Sequence, residues 1–226
     1  MGQLTDITGK LEPGMWDYRV FPGFEDLVPP LSIETMGTLE TFGFYGSKFT
    51  LSSISGTYLE TSSHVLADGR HLSSYGINDF VRPAKILRLG ALAPDTLIDG
   101  TMLAAAAPAI EPGDALLIDT GWYRQWNTPG FVERCPKMLP SALTWILEQP
   151  IALLGVDVPA IEAAWTDDDA SAKGGLLTQL FARGTLLLAP VVNLDQIDAD
   201  QGRLYALPLP VVGTSGAPVR AIFEWE

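Results

Sequence analysis

Short apolar runs bounded by Gly, Pro or Asp recur along the chain, at Lys48 to Ser53, Ala84 to Leu89, Ala115 to Asp119, Ile151 to Val156 and Thr185 to Leu188. Runs of this length and composition predict buried strands. Two stretches show helical spacing instead. Leu143, Ile146 and Leu147 share one face across Pro140 to Glu148, and Leu176, Leu177, Leu180 and Phe181 share one across Gly175 to Arg183. Pro140 stands where a first-turn proline is tolerated, and Gly184 stands where a helix commonly ends in a left-handed residue. Each helix precedes an apolar strand, while the N-terminal half is richer in strands and turns. The pattern predicts a mixed α/β chain with some parallel pairing.

Neither a repeat of fixed period nor a Pro/Gly-rich linker divides the chain, so residues 1–226 are expected to form one domain. The Ala-rich block Met102 to Ile110 is too short to cross a bilayer and is broken by Pro108.

Charge then narrows the function classes. Lys and Arg total 14 against 27 Asp and Glu, a formal charge of −13 with no basic run. Such a surface repels a phosphate backbone, so neither nucleic acid nor an anionic membrane is an expected partner. Two histidines, His64 and His71, and one cysteine, Cys135, exclude zinc fingers and Cys-rich clusters. A lone cysteine forms no intramolecular disulfide, and the N-terminus lacks the basic and apolar blocks of a signal peptide. A cytoplasmic protein is the expectation.

The densest polar segment runs from Ser52 to His64. In an extended conformation Tyr58, Glu60, Ser62 and His64 project to one side, because strand side chains alternate. A phenol, a carboxyl and an imidazole on one face could move protons: His64 titrates near neutrality, Glu60 can orient it or act as base, and Tyr58 can donate to an oxyanion. The same spacing also fits a Ser/Thr-rich edge strand with a surface Glu and a hydrogen-bonded His.

Ser55-Gly56-Thr57-Tyr58-Leu59-Glu60-Thr61-Ser62-Ser63-His64 resembles the H-x-G-T-H-x-D-x-P-x-H signature of the cyclase or kynurenine-formamidase-like hydrolases. Further likenesses follow in order along the chain. Asp6-Ile7-Thr8 with Glu12-Pro13-Gly14-Met15 is similar to that family's opening, Leu117-Ile118-Asp119-Thr120-Gly121-Trp122 to its "L-I-x-T-G-W" strand, and Gly155-Val156-Asp157-Val158-Pro159 to its "G-I-D-T-P" strand. Asn193-Leu194 and Pro218-Val219-Arg220-Ala221 are similar to its "N-L" and "P-V-R-A" elements. The resemblance implies a β/β/α swivelling-domain fold, α/β with a mixed sheet, assembled as a homodimer or higher homo-oligomer.

The resemblance also implies hydrolysis of an amide or related carbonyl compound, with a divalent metal held by His, His and Asp of the signature and by a later His and Glu. Here Ile54 and Tyr58 stand at the two histidine positions, Glu60 at the aspartate, Leu177 at the later histidine and Ala189 at the glutamate; only His64, at the catalytic-base position, is kept. A zinc or manganese hydrolase needs at least three converging donors. The expectation is therefore a site with no catalytic metal and no cofactor. It would act on a small-molecule carbonyl substrate by acid–base chemistry at His64, Glu60 and Tyr58, by ring closure, dehydration or another elimination, in a specialised biosynthetic pathway. A residual metal-dependent hydrolase, a metal-free hydrolase and a silent ligand-binding protein stay open as alternatives.

Trp16, Tyr18, Phe21 and Trp122 are candidate substrate-binding residues, since aromatics on loops at strand ends often line planar-ligand pockets; they would equally serve as core. Asp167-Asp168-Asp169 is read as a solvated turn or helix N-terminus, Gly213 to Gly216 as a turn, Cys135 as a bystander and His71 as a surface residue.

Overall fold

The computed structural model describes residues 2–161 and 175–226. Its strands are β1 (Gln3–Asp6), β2 (Ser32–Gly37), β3 (Gly46–Thr50), β4 (Tyr58–Glu60), β5 (Val81–Arg88), β6 (Leu97–Ile98), β7 (Ala115–Asp119), β8 (Lys137–Met138), β9 (Leu153–Val156), β10 (Leu186–Ala189), β11 (Gln201–Pro208) and β12 (Gly216–Trp225). The α-helices are α1 (Leu39–Phe42), α2 (Ile77–Phe80), α3 (Gly100–Ala106), α4 (Pro140–Glu148) and α5 (Gly175–Ala182).

One long strand closes the main sheet. The first part of β12, Gly216 to Pro218, pairs with β4, and its last part, Ile222 to Trp225, pairs with β1 along the same edge. The opposite edge of β12 pairs with β11. Because β4 also pairs with β10, the order β12-β11-β5-β7-β9-β10-β4 returns to its start as a barrel-like ring. Pairing is parallel from β5 through β7 and β9 to β10 and antiparallel elsewhere in the ring, the mixed α/β sheet that the sequence pattern predicts.

The pleat sorts side chains into two cores. Leu59, Ile86, Leu117, Leu153, Leu188 and Phe223 fill the barrel. Gly155 lies among them because a Cβ there would collide with Leu117. The neighbouring residues Leu116, Ile118, Leu154, Val156 and Leu187 point the other way and pack with Leu103 of α3, Ile146 of α4 and Leu180 of α5. With both faces covered, the parallel strands read as continuous apolar runs. In β4, Leu59 enters the barrel, so Tyr58 and Glu60 face the helical side.

Several local predictions hold at the level of single residues. Strand β7 spans Ala115–Asp119, α4 starts with Pro140 in its first turn, and Gly184 takes a left-handed conformation after α5. The run Lys48 to Ser53 differs: among the described residues its strand, β3, pairs only with β2, in a separate exposed hairpin. Lys48 on one face and Phe49 on the other cannot both be buried in a sheet interior. Part of the Ala-rich block forms α3, capped by the Asp99 side chain on the Met102 backbone N–H. The triplet Asp167 to Asp169 lies outside the described residues. Among those that are described, no helix is long and apolar enough to cross a membrane.

Candidate active site

Strand β4 ends at Glu60, and the chain turns instead of staying extended. Ser62–His64 form a single 3-10 turn in which the His64 N–H donates to the Thr61 carbonyl at 3.0 Å. The turn is locked from outside: the Thr61 hydroxyl lies 2.8 Å from both the Arg70 and the Ser215 carbonyls, and the Arg70 N–H donates to the Ser62 hydroxyl at 2.8 Å. Gly69 packs directly on the backbone of Ser62 and Ser63, leaving no room for a Cβ. This turn brings His64 back over Glu60, with Nε2 3.2 Å from Oε1.

Burial sets the protonation of the two groups. Glu60 is 3% exposed, and loss of hydration pushes its carboxyl up to about 8. Burial lowers the His64 imidazole below its usual value, while its side chain keeps 32% of its surface exposed, within reach of solvent. Opposite Glu60 and Tyr58 on β10 stand Leu187 and Ala189, which offer no hydrogen bond from a side chain.

Tyr58 faces the same side as Glu60, as the strand period requires. Its hydroxyl lies 2.7 Å from that of Tyr18, which donates to the Pro159 carbonyl at 2.7 Å. The carbonyl takes the Tyr18 hydrogen, so the Tyr58 hydrogen points to Tyr18. Both phenols are pushed above their usual range by burial, and both stay protonated.

An aromatic wall continues from Tyr18. Trp16 packs edge-on against Tyr18 at 5.6 Å between ring centroids and against Trp126 at 5.2 Å. Phe21 stacks on Tyr18. Asn127 ties the two loops together, accepting from the Trp16 N–H at 3.2 Å and donating to Glu12 at 2.6 Å. The indole nitrogens of Trp16 and Trp126 are buried with no hydrogen-bond partner among the described residues, an uncommon state for a buried donor. Trp122 stacks on Phe131 and donates its indole N–H to the Phe131 carbonyl at 2.8 Å, so it backs the wall as core.

Sequence reasoning gave no role to Asp157. Fully buried, it accepts from the Thr120 N–H at 3.1 Å, the Thr120 hydroxyl at 2.7 Å and the Trp122 N–H at 2.9 Å. Burial pushes its carboxyl up to about 7 against those hydrogen bonds. It holds the turn that carries Trp122; a lone Asp within an apolar stretch was the available signal. Cys135 is buried with its thiol against the Val132 and Ala160 carbonyls, and His71 is exposed.

The residues at the implied metal positions do not fit a metal ion. Ile54 packs against the apolar core, the Tyr58 hydroxyl is engaged with Tyr18, and Ala189 has no donor. Leu187, opposite Glu60 on β10, brings no donor atom. Among the described residues no three of His, Cys, Asp and Glu gather. A separate cleft of about 750 Å³, lined by Lys85, Gln201, Arg203 and Glu224 among others, includes none of the site residues.

The family model described as "Putative cyclase" matches residues 5–163. A kynurenine formamidase of Bacillus mycoides (strain KBAB4) is 30% identical over 196 residues, covering 86% of this chain and 88% of that protein. In three dimensions the chain is similar to isatin hydrolase A from Ralstonia solanacearum, with a TM-score of 0.85, 22% identity and coverage of 99% of this chain and 92% of that one. It is also similar to a structure described as a predicted metal-dependent hydrolase from Bacillus stearothermophilus, with a TM-score of 0.75, 21% identity and all of both chains covered.

Proposed function

This chain belongs to the cyclase family, and we propose that it is a hydrolase-type enzyme acting on a small carbonyl compound through Glu60 and His64, without a catalytic metal. The observation that carries the reading is the 3.2 Å approach of His64 Nε2 to a carboxyl that burial keeps largely protonated at neutral pH. Glu60 lies against one ring nitrogen of His64, and the exposed part of the imidazole, with Nδ1 as its second nitrogen, is the part we assign to the substrate.

Buried Glu60 and the solvent-reachable His64 lie close enough to exchange a proton. With Glu60 protonated, its O–H faces Nε2; a proton given up from Nδ1 is replaced at Nε2 by that of Glu60. In the reverse direction Nδ1 accepts a proton from water or substrate while Nε2 returns one to the carboxylate. His64 thus serves as general acid and base with Glu60 as its proton partner, a role worth about 10²–10⁴ in rate. Tyr58 supplies the oxyanion donor: a developing alkoxide can take its hydrogen in place of Tyr18, whose own hydrogen bond to Pro159 keeps the phenol aligned.

Trp16, Tyr18 and Phe21 would form the wall for a planar substrate. An aryl formamide and a fused lactam are the first substrates to test, by analogy with a formamidase and an isatin hydrolase. Ring closure or elimination would use the same pair, since both need only a placed proton donor and acceptor.

Metal analysis of the purified protein with turnover before and after chelation tests the proposal. Substoichiometric zinc and manganese, activity that survives chelation, and a 10²–10⁴-fold loss of kcat in His64→Ala are expected. One tightly bound metal per chain whose removal abolishes turnover, or a fully active His64→Ala, would overturn it.

A further inference from the structure

In the signature that Ile54 to His64 resembles, a proline stands two residues before the final histidine; in this chain Ser62 stands there. The backbone at this place would suit proline. Ser62 opens the 3-10 turn, and Thr61 before it is extended, with φ −123° and ψ 172°, as a residue preceding proline is. A proline ring would fix φ at the start of the turn, whereas serine leaves that angle free. Another restraint holds the turn that carries His64.

That restraint comes from residues 66–70, which fold back on the turn. The Arg70 N–H donates to the Ser62 hydroxyl at 2.8 Å, and Ser62 keeps only 7% of its surface exposed, so water does not readily replace either partner. The Leu66 N–H donates to the Ser62 carbonyl at 2.9 Å, and the Ser63 N–H to the Arg70 carbonyl at 3.3 Å. Arg70 is itself anchored on its far side: its guanidinium lies 3.9 Å from the centroid of the Tyr75 ring and donates to the Ser74 carbonyl at 2.6 Å. The Ser62 hydroxyl is thus tied to a backbone that is held independently of it.

We propose that Ser62 is a positioning residue: by accepting from the Arg70 N–H, its hydroxyl sets the 3-10 turn so that the imidazole of His64 lies over Glu60. Ser62 acts through His64 and touches no reacting atom. The Thr61 hydroxyl, against the Arg70 and Ser215 carbonyls, fixes where the turn begins, and the Ser62 bond ties the turn itself, two residues before the imidazole. Among the described residues Glu60 is the one hydrogen-bonding or ionic partner of that imidazole, whose side chain is 32% open to solvent. Its place over Glu60 therefore depends on the backbone beneath it, and a displacement of about 1 Å between reacting groups can cost about 10²-fold in rate. The assignment rests on the reading of His64 and Glu60 as the proton-transferring pair, and its test includes a readout that needs no turnover.

The chain has only two histidines, so nitrogen-15 spectra of the imidazole rings report on His64 directly, with exposed His71 as internal reference and His71→Gln to assign the signals. Near neutral pH the wild-type ring should show a proton-free Nε2, which faces the Glu60 O–H, and a protonated Nδ1. Ser62→Ala should keep the wild-type far-UV circular dichroism, lose about 10–10²-fold in kcat with KM little changed, and move the His64 signals toward those of His71. Ser62→Thr restores a hydroxyl acceptor and should recover the wild-type signals and most of the rate. Ser62→Cys, similar in size but a weaker acceptor, should shift the signals part of the way and supplies the readout if Ser62→Ala folds poorly. Unmoved His64 signals in folded Ser62→Ala and Ser62→Cys chains, or moved signals that Ser62→Thr fails to restore, would overturn the assignment. Signals that move and are restored while turnover stays constant would leave Ser62 as the residue that sets His64 over Glu60 and would overturn instead the acid–base reading of that pair.

Discussion

The imidazole of His64 lies 3.2 Å, Nε2 to Oε1, from the carboxyl of Glu60, and burial drives both groups toward their neutral forms. A carboxylate and an imidazolium at this distance would attract each other, but desolvation acts against each charge and dominates for both residues. Leu187, across the strands from Glu60, provides no donor to stabilise an anion there. Near neutral pH the Glu60 carboxyl therefore keeps its proton.

Turnover should follow a bell-shaped pH profile. Activity rises as His64 loses its proton below its usual value near 6.5 and falls as Glu60 ionises at about 8. In Glu60→Gln the limb near 8 should vanish along with most of the rate. An unchanged alkaline limb in that variant would assign the ionisation to another group.

Stability should carry the signature of the same carboxyl. In the unfolded chain Glu60 ionises near 4.5, whereas in the folded protein it holds its proton to about 8. Between those values the unfolded state has released a proton that the native state retains, so rising pH favours unfolding by up to about 1.4 kcal/mol per unit. Above 8 this contribution is constant. Asp157 acts in the same direction up to about 7, and His64, neutral when folded, acts oppositely below 6.5. Thermal melts of Glu60→Gln should gain on the wild type steadily from pH 5 to pH 8, and a gap that stays constant would contradict the buried neutral carboxyl.

The Tyr18 and Tyr58 hydroxyls should be energetically coupled. Tyr18→Phe leaves the Pro159 carbonyl and the Tyr58 hydrogen without partners, at about 1–3 kcal/mol. Tyr58→Phe removes only the outer bond and should cost about 1 kcal/mol. Urea unfolding of both single variants and the double variant should give a coupling of about 1 kcal/mol; strict additivity would mean that the two hydroxyls do not interact.

Asp157→Asn should destabilise by about 2–4 kcal/mol, because an amide nitrogen replaces one of two oxygens that together accept from Thr120 and Trp122. For a chain of this size that is a fall of roughly 4–16 °C in melting temperature. Near-ultraviolet circular dichroism should change as well, since Trp122 is held by this carboxylate. A melting curve within 1–2 °C of wild type, about the shift expected for 0.5 kcal/mol, would remove Asp157 from the framework of the site.

Legibility varied with how local the determinant was. Strand β7 and helix α4 were readable because their apolar runs, the Pro140 start and the flanking Gly and Asp lie within a few residues. Strand β12 was readable in principle: Ala217, Val219, Ala221, Phe223 and Trp225 are buried in alternation with more exposed neighbours such as Arg220. Nothing local announced that β12 divides one edge between β4 and β1. Trp126 met a different limit, because its place depends on packing against Gly9, which lacks the Cβ that would collide with its ring.

The sequence by itself determined the kinds of chemistry available: one imidazole at the position that the resemblance gives to a base, a glutamate four residues before it, and Ile54, Tyr58, Leu177 and Ala189 where the resemblance implies ligands. It also placed Tyr58 and Glu60 on one face, because strand alternation is a property of the backbone alone. Tertiary structure decided the rest. The approach of His64 to Glu60 comes from the 3-10 turn held by Arg70 and Ser215, not from continued extension. The neutral carboxyl comes from burial beside Leu187, and the Tyr18–Tyr58 link from the 3-10 turn Tyr18–Val20 packed on the helical side of strand β4. Desolvation depends on what surrounds a group in space, and those neighbours are supplied by chain segments far away in sequence.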